Sequence, residues 1–365
     1  MTNRRRIGIL TAGGDCPGMN AVVRAVAKKA IREHGLNVIG IEDGYEGLVR
    51  NRWRPLAYED VSGIITLGGT ILGTSNTVDP YAYATVNGDT VTHTDESARV
   101  LENIRQLDLD GLVCVGGDGS LTVASQLAAA GAPIVGVPKT IDNDVAGTDI
   151  TVGFDTAVSI ATEGLDRVHT SAQSHHRAMI VEVMGRNAGW LALHAGVAGG
   201  GDIIIIPEIP YEVSAVADRV TERSQRGKRF TIVVISEGAR EVGGKVVVQR
   251  IVKGSAEPIR LGGISFRLAD QLETLTGIET RALVMGHLLR GGTPSSADRV
   301  LATRLGTRAV ELLLNQEFGC MVGIERDELV KVPLAAVSNR QKTIPIGYPL
   351  IAAARSVGTS FGDRS

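Results

Sequence analysis

The strongest constraint on how this chain can fold is a recurring pattern: a short, continuous apolar run stopped by a glycine- or aspartate-containing turn. Ile7–Thr11 stops at Gly13-Gly14-Asp15, and Gly111–Val115 stops at Gly116-Gly117-Asp118-Gly119. Ile134–Val137 leads into Pro138-Lys139-Thr140, and Ala178–Val183 into Met184-Gly185-Arg186; Ile203–Ile206, Phe230–Ile235 and Arg281–Met285 continue the series. Val- and Ile-rich runs of this length, without polar alternation, predict strands buried on both faces. Between them, Ala21–Ile31, Ser120–Ala130, Thr156–Thr170 and Ser296–Leu314 carry apolar residues at helical spacing. Strands alternating with helices predict an α/β protein of two Rossmann-like lobes, with largely parallel sheets covered by helices on both faces. Ligands of such sheets sit outside the carboxyl ends of the strands, where these turns lie.

A chain of 365 residues with 43% apolar content can bury a full core, and its length predicts two domains. With 21% charged residues and a net charge of -2, no basic surface is available to track nucleic acid, so small ligands are expected. Cys16, Cys114 and Cys320 are far apart and form no CxxC pair, which argues against zinc and disulfides and for a reducing compartment. The basic start Met1–Arg6 is followed only by the short apolar run Ile7–Leu10, so it does not read as a signal peptide. No apolar run approaches the roughly 18 residues of a membrane span. A soluble, cytoplasmic protein without membrane or nucleic-acid partners is the expectation. The late motif Gly286–Gly292 points to a chain that crosses between domains more than once.

Three turns carry the chemistry. Thr11–Asn20 is glycine-rich and opens a helix, so its backbone can approach a phosphate closely and its free N–H groups attract anions. Gly116–Ser120 repeats that logic and adds a carboxylate. Asp118 would repel a phosphate unless a cation stood between them, which points to Mg²⁺ on a polyphosphate; the alternative is a helix start capped by Ser120. In Pro138–Asp144, two carboxylates two residues apart on an extended segment point the same way, beside a lysine and a hydroxyl. One could hold a metal while the other accepts a proton from an attacking alcohol, the two roles that phosphoryl transfer requires. The alternative is an Asx-turn in a surface loop. Neither GxGxxG nor GxxxxGK[ST] occurs, which weakens a dinucleotide-dependent dehydrogenase and excludes a P-loop enzyme.

These turns, together with Ser174–Arg177, Glu182–Arg186 and Gly286–Gly292, resemble in order the motifs of the bacterial-type 6-phosphofructokinases, from about residue 5 to about residue 325. The resemblance implies transfer of a phosphoryl group from ATP to the 1-hydroxyl of fructose 6-phosphate. It implies that Gly14 and Gly117–Ser120 (Gly117, Asp118, Gly119, Ser120) line the donor phosphates, with Asn76 and Lys139 near the donor. Asp118 would bind Mg²⁺, with Asp144 near the metal, and Asp142 would be the base beside Thr140. Met184, Gly185, Arg186, Glu237 and His287 would hold the sugar phosphate, Arg177 and Arg281 would reach the 6-phosphate from a neighbouring subunit, and Arg290 would complete the clamp. A shared site implies a homo-oligomer, a dimer or more often a tetramer. The implied lobes are residues 1–153 plus about 288–337 for nucleotide and Mg²⁺, and 154–287 plus about 338–365 for the sugar phosphate. His287 in an apolar context could otherwise be a core histidine.

Departures from the family pattern concern the donor. Gly119 is the type found in ATP users, where pyrophosphate users carry Asp, whereas Lys139 is common in pyrophosphate enzymes. Asn76 stands where well-known ATP enzymes place an arginine, and Lys139 could partly substitute for it. The family's effector pocket is matched at Arg24, Lys28, Arg52, Arg226 and Lys228, but His169 replaces an arginine and Asp202 a glutamate. A pyrophosphate-dependent enzyme and an inactive nucleotide sensor remain as rivals. The sensor would not need to retain Asp118, Asp142, Asp144 and Arg186 together. The segment Gly358–Ser365 is expected to fray.

Overall fold

The computed structural model describes residues 5–87, 90–252 and 258–364; the basic start at residues 1–4, and Ser365, lie outside the described residues. The chain divides into two compact units. The first comprises Met1–Thr156, Val252–Pro258 and Arg290–Gln341, the second Ala157–Ile251, Ile259–Leu289 and Lys342–Ser365.

The first unit is built on a seven-stranded sheet ordered Glu328–Pro333, Cys320–Glu325, Ile134–Pro138, Gly111–Gly116, Arg6–Thr11, Asn37–Ile41, Trp53–Leu56. Its five central strands are parallel and its two edge strands antiparallel. Side chains alternate between two cores, as the pleat requires. Val113 and Val115 join the cluster containing Val22, Leu301 and Leu305, while Leu112 and Cys114 join Leu121, Leu127 and Ile104 on the other face. Helices Met19–His34 and Ser296–Leu314 therefore cover one face, and Ser97–Gln106 and Asp118–Ala129 the other. This double burial is why the strands read as unbroken apolar runs.

Ser295 caps the helix Ser296–Leu314 by accepting from Asp298 N. The fully buried Asp298 carboxylate accepts from Gly153 N and Thr156 N, both at 2.8 Å, and from Thr156 Oγ1 at 2.5 Å. Burial pushes this carboxyl upward, and the three donors offset that cost.

In the second unit four parallel strands run in the order Thr280–Val284, Ala178–Val183, Thr231–Ser236, Ile203–Ile205. Helices Val213–Gln225 and Ile264–Thr276 pack their apolar sides on Ile180, Val233 and Ile235. Glu182, buried inside its strand, accepts from Gly263 N, Ser265 N and Ser265 Oγ, which satisfies orphan donors at the start of the helix Ile264–Thr276.

Of the segment expected to fray, residues 358–364 are docked, and Ser365 lies outside the described residues. Ile204 N donates to Ser360 O, Glu212 N donates to Gly362 O, and Phe361 is fully buried. Arg355 grips Asp363 through two hydrogen bonds. One buried aromatic ring and a line of backbone bonds outweigh the entropy that favours a loose tail.

Candidate active site

In the first unit three strand exits converge. The Arg6–Thr11 strand ends in the turn Ala12–Gly18, and the loop 70–76 is stitched to it. Gly13 N donates to Ser75 O at 3.0 Å, Thr74 Oγ1 donates to Gly13 O at 2.7 Å, and Thr11 Oγ1 donates to Gly73 O at 2.8 Å. Asn76, exposed, follows directly on this seam.

The Gly111–Gly116 strand ends at Gly117, which precedes the helix Asp118–Ala129 with an extended backbone. Ser120 therefore lies inside the first turn and does not cap the helix. Asp118 is the first helical residue, and one of its carboxylate oxygens is shielded from solvent. Gly119 is exposed, its φ is not positive, and a β-carbon built on it would meet no atom within 4 Å. Neither backbone nor packing demands glycine here.

The Ile134–Pro138 strand delivers Lys139. Its side chain is only 2% exposed, and its ammonium donates to Gly14 O at 2.5 Å. A β-carbon on Gly13 would lie 2.9 Å from Ser120 Oγ and 3.2 Å from Lys139 Nζ, so these groups meet at one turn. Arg290 comes to the same place: its Nη1 donates to Asp15 O at 3.0 Å and would lie 2.8 Å from a β-carbon on Gly14. Burial holds the Lys139 ammonium below its ordinary value, with the neighbouring Arg290 cation acting in the same direction. Arg290, grouped by the sequence with the sugar-phosphate residues, thus sits against the first glycine turn.

Beyond Lys139 the segment is a turn and not extended. Asn143 adopts a left-handed φ of 51°, which an asparagine tolerates, so the alternation expected for Asp142 and Asp144 does not apply. The turn is firmly held. Asp142 N donates to Thr140 Oγ1, Thr151 Oγ1 donates to Thr140 O at 2.7 Å, and Asn143 Nδ2 donates to Asp149 O. Asp142 and Asp144 are both half-buried. Cys16, within the first turn, is buried, and burial pushes its thiol up to about 12, which disfavours the thiolate.

In the second unit two neighbouring strand exits are stitched together. Glu237 N donates to Val183 O at 2.9 Å, Gly238 N donates to Gly185 O at 3.1 Å, and Ser236 Oγ donates to Gly185 O. A β-carbon on Gly238 would fall 1.9 Å from Arg186 O, so only glycine lets the two turns approach. Met184, Gly185, Arg186 and Glu237 are thereby brought together. On the edge strand Thr280–Val284, Arg281 pairs with Glu279 at 2.7 Å, and Arg177 reaches the same Glu279 oxygen at 3.4 Å. The two arginines thus share one carboxylate. His287 is exposed on the 3₁₀ turn Gly286–Arg290 and is no core histidine.

Two carboxylates here were not singled out by motif. Glu279 precedes a strand, and Glu208 follows Pro207 at the exit of Ile203–Ile205; an acid at a strand end was the signal available. Three of the five basic positions matched to an effector pocket have intramolecular partners: Arg52 pairs with Asp43, Arg226 with Glu222, and Lys28 lies over the Tyr58 ring. Asp202 pairs with Arg223 at 2.6 Å, and His169 Nε2 lies 2.8 Å from Gly199 O.

The family model described as phosphofructokinase matches residues 6–313. The chain belongs to the phosphofructokinase family. It is 48% identical over 362 residues to ATP-dependent 6-phosphofructokinase 2 of Clostridium perfringens, covering 98% of this chain and 99% of that one. It is also 46% identical over 344 residues to the pyrophosphate–fructose 6-phosphate 1-phosphotransferase of Amycolatopsis methanolica, covering 93% and 96%. Among solved structures, phosphofructokinase from Saccharomyces cerevisiae superposes with a TM-score of 0.75 at 33% identity, over 92% of this chain; this chain spans 45% of that one. A pyrophosphate-dependent phosphofructokinase from Marinobacter aquaeolei gives 0.77 at 26% identity, over 94% and 86%. The α/β fold with its mostly parallel sheets agrees with these neighbours.

Proposed function

We propose that this chain transfers the γ-phosphoryl group of ATP to the 1-hydroxyl of D-fructose 6-phosphate, giving fructose 1,6-bisphosphate and ADP in the cytoplasm. The observation that carries this reading is the meeting of Lys139, Arg290, Ser120 and the Gly13-Gly14 backbone at one turn of the first unit. Two cations, glycine backbone and a helix N-terminus together form a site for a polyanion.

Asp118 and Asp144 suit magnesium, which is commonly held by one or two carboxylates plus substrate phosphates. Held there, the ion would neutralise charge on the polyphosphate. Asp142 takes the proton from the sugar 1-hydroxyl as its oxygen bonds to the γ-phosphorus. The bond from that phosphorus to the β,γ-bridging oxygen breaks, and ADP leaves with the electron pair. Thr140 fixes the Asp142 turn through its hydroxyl. Gly14, Asn76 and Gly117–Ser120 line the donor, with Lys139 and Arg290 stabilising charge that builds on it in the transition state.

Met184, Gly185, Arg186, Glu237 and His287 bind the sugar phosphate. Arg177 and Arg281 take the 6-phosphate of a neighbouring copy in a homo-oligomer, a dimer or tetramer, with planar guanidinium groups suited to a phosphate monoester.

Pyrophosphate is the second reading, favoured by Lys139 at the donor turn and by relatives named for that donor. Gly119 supports ATP, because the open space at its α-carbon admits the part of the donor beyond the transferred group. A coupled assay with fructose 6-phosphate and each donor in turn separates the two. Turnover with neither donor would overturn both.

A further inference from the structure

The turn proposed to hold the sugar phosphate leaves its strand at Val183 and ends at Gly189, where the helix Trp190–Ala198 begins. Its near end is fixed by Ser236 and Gly238. Its far end is fixed by Glu208, which lies outside the motifs that carry the family resemblance. Both carboxylate oxygens of Glu208 accept from Gly189 N, at 3.0 and 3.1 Å. The same carboxylate accepts from Ile344 N at 2.9 Å. Ile344 belongs to the late segment that returns to the second unit at Lys342.

A second contact between the same two stretches lies beside it. Trp190 Nε1 donates to Lys342 O at 2.8 Å, the Trp190 ring meets Tyr348 edge-on with centroids 5.0 Å apart, and Lys342 Nζ lies 5.4 Å from the Trp190 centroid. The turn between its two fixed ends is tight: a β-carbon on Gly185 would lie 2.8 Å from Ala188 O, and one on Gly189 would lie 2.5 Å from Ile206 Cβ. Such a turn has little slack, so releasing Gly189 moves the residues before it.

We propose that Glu208 is a positioning residue for sugar-phosphate binding, a half-buried carboxylate that ties the far end of the Met184–Gly189 turn to the segment 342–348. It touches no substrate. A charged acceptor serving backbone N–H groups from two separate stretches makes stronger bonds than a neutral one, and it places Arg186 through the three residues that follow it. The identity of the ligand rests on the proposed function; the mechanical link does not.

The test compares the full-length protein with E208A and E208Q. Hydrogen–deuterium exchange of the 184–189 and 342–348 peptides reads the link without any substrate. Steady-state kinetics read its effect. E208A is expected to speed exchange in both peptides and to raise KM for fructose 6-phosphate roughly tenfold, with KM for the nucleotide unchanged within about twofold. E208Q keeps the shape and one acceptor oxygen and is expected to fall between; it carries the comparison if E208A does not fold. Unchanged exchange in E208Q and E208A overturns the proposal whatever the activity. Altered exchange with an unchanged sugar-phosphate KM also overturns it, because Glu208 would then only cap a helix. A wild-type protein inactive with either donor would defeat the functional reading, and exchange would then decide the link alone.

Discussion

Replacing Lys139 with methionine separates what its ammonium does from what its stem does. Methionine fills nearly the same apolar path and removes the charge. The lysine is 2% exposed and its ammonium makes a 2.5 Å bond to Gly14 O, so its charge acts on that turn with little screening by solvent. A hydrogen bond to a charged group is worth about 1.5–3 kcal/mol. Lost in the transition state, that corresponds to about a ten- to over a hundredfold drop in kcat. The fold should respond differently. A buried ammonium carries a desolvation cost that methionine lacks, so Lys139→Met should leave stability near that of the wild type.

The pH dependence provides a second readout. Burial lowers the folded-state value of Lys139 below its ordinary 10.5. At pH below that lowered value both states hold the proton and the cost is felt in full. Between the lowered value and 10.5 the folded state has shed a proton that the unfolded chain still binds, so this residue's contribution makes stability rise with pH. Lys139→Met should abolish that contribution. Donor titrations at saturating fructose 6-phosphate, with denaturant melts across alkaline pH, measure both effects. Turnover within about twofold of wild type would refute the reasoning and leave Lys139 as a brace for Gly14.

Asp142→Asn should lower kcat by about 10²–10⁴-fold while sparing sugar binding, since it removes the proton acceptor but little volume; retained turnover would discard the base assignment. Gly119→Asp should fold normally, because its β-carbon meets no atom within 4 Å and its φ is not positive. It should raise KM for ATP by about tenfold or more through charge repulsion and lost space; equal use of ATP by both proteins would remove Gly119 from the donor argument. Phe361→Ala should destabilise the second unit by about 3–5 kcal/mol. Denaturation followed through Trp190 fluorescence checks this, and a loss below about 1 kcal/mol would mean the tail is not integral.

Much of the fold was legible because double burial leaves a plain mark. Ala178–Val183 and Ser296–Leu314 begin and end where the apolar patterns place them. Four strands of the first sheet were not read: the inner Asn37–Ile41 and Cys320–Glu325 and the two outer ones. Trp53–Leu56 contains Pro55, and Glu328–Pro333 is largely exposed, so neither carries a continuous apolar run. The glycine turns were legible because they need glycine: Gly13 and Gly185 take positive φ of 84° and 136°. The turn at Asp142 was misread as extended because one asparagine φ reverses the chain locally. Docking of residues 358–364 and the bond from Ile344 to Glu208 depend on partners more than 100 residues away in sequence, which no local pattern encodes.

The seating of Ser360 beside Ile203 has a consequence for biosynthesis. Ile203–Ile205 lies at the outer margin of a four-stranded sheet, and the tail segment that bridges to it at Ser360 is translated much later. A nascent second unit therefore carries an open seam of backbone donors and acceptors while the intervening residues are still being joined. Until the tail is made, an unpaired edge of this kind is a template for wrong pairing with another copy.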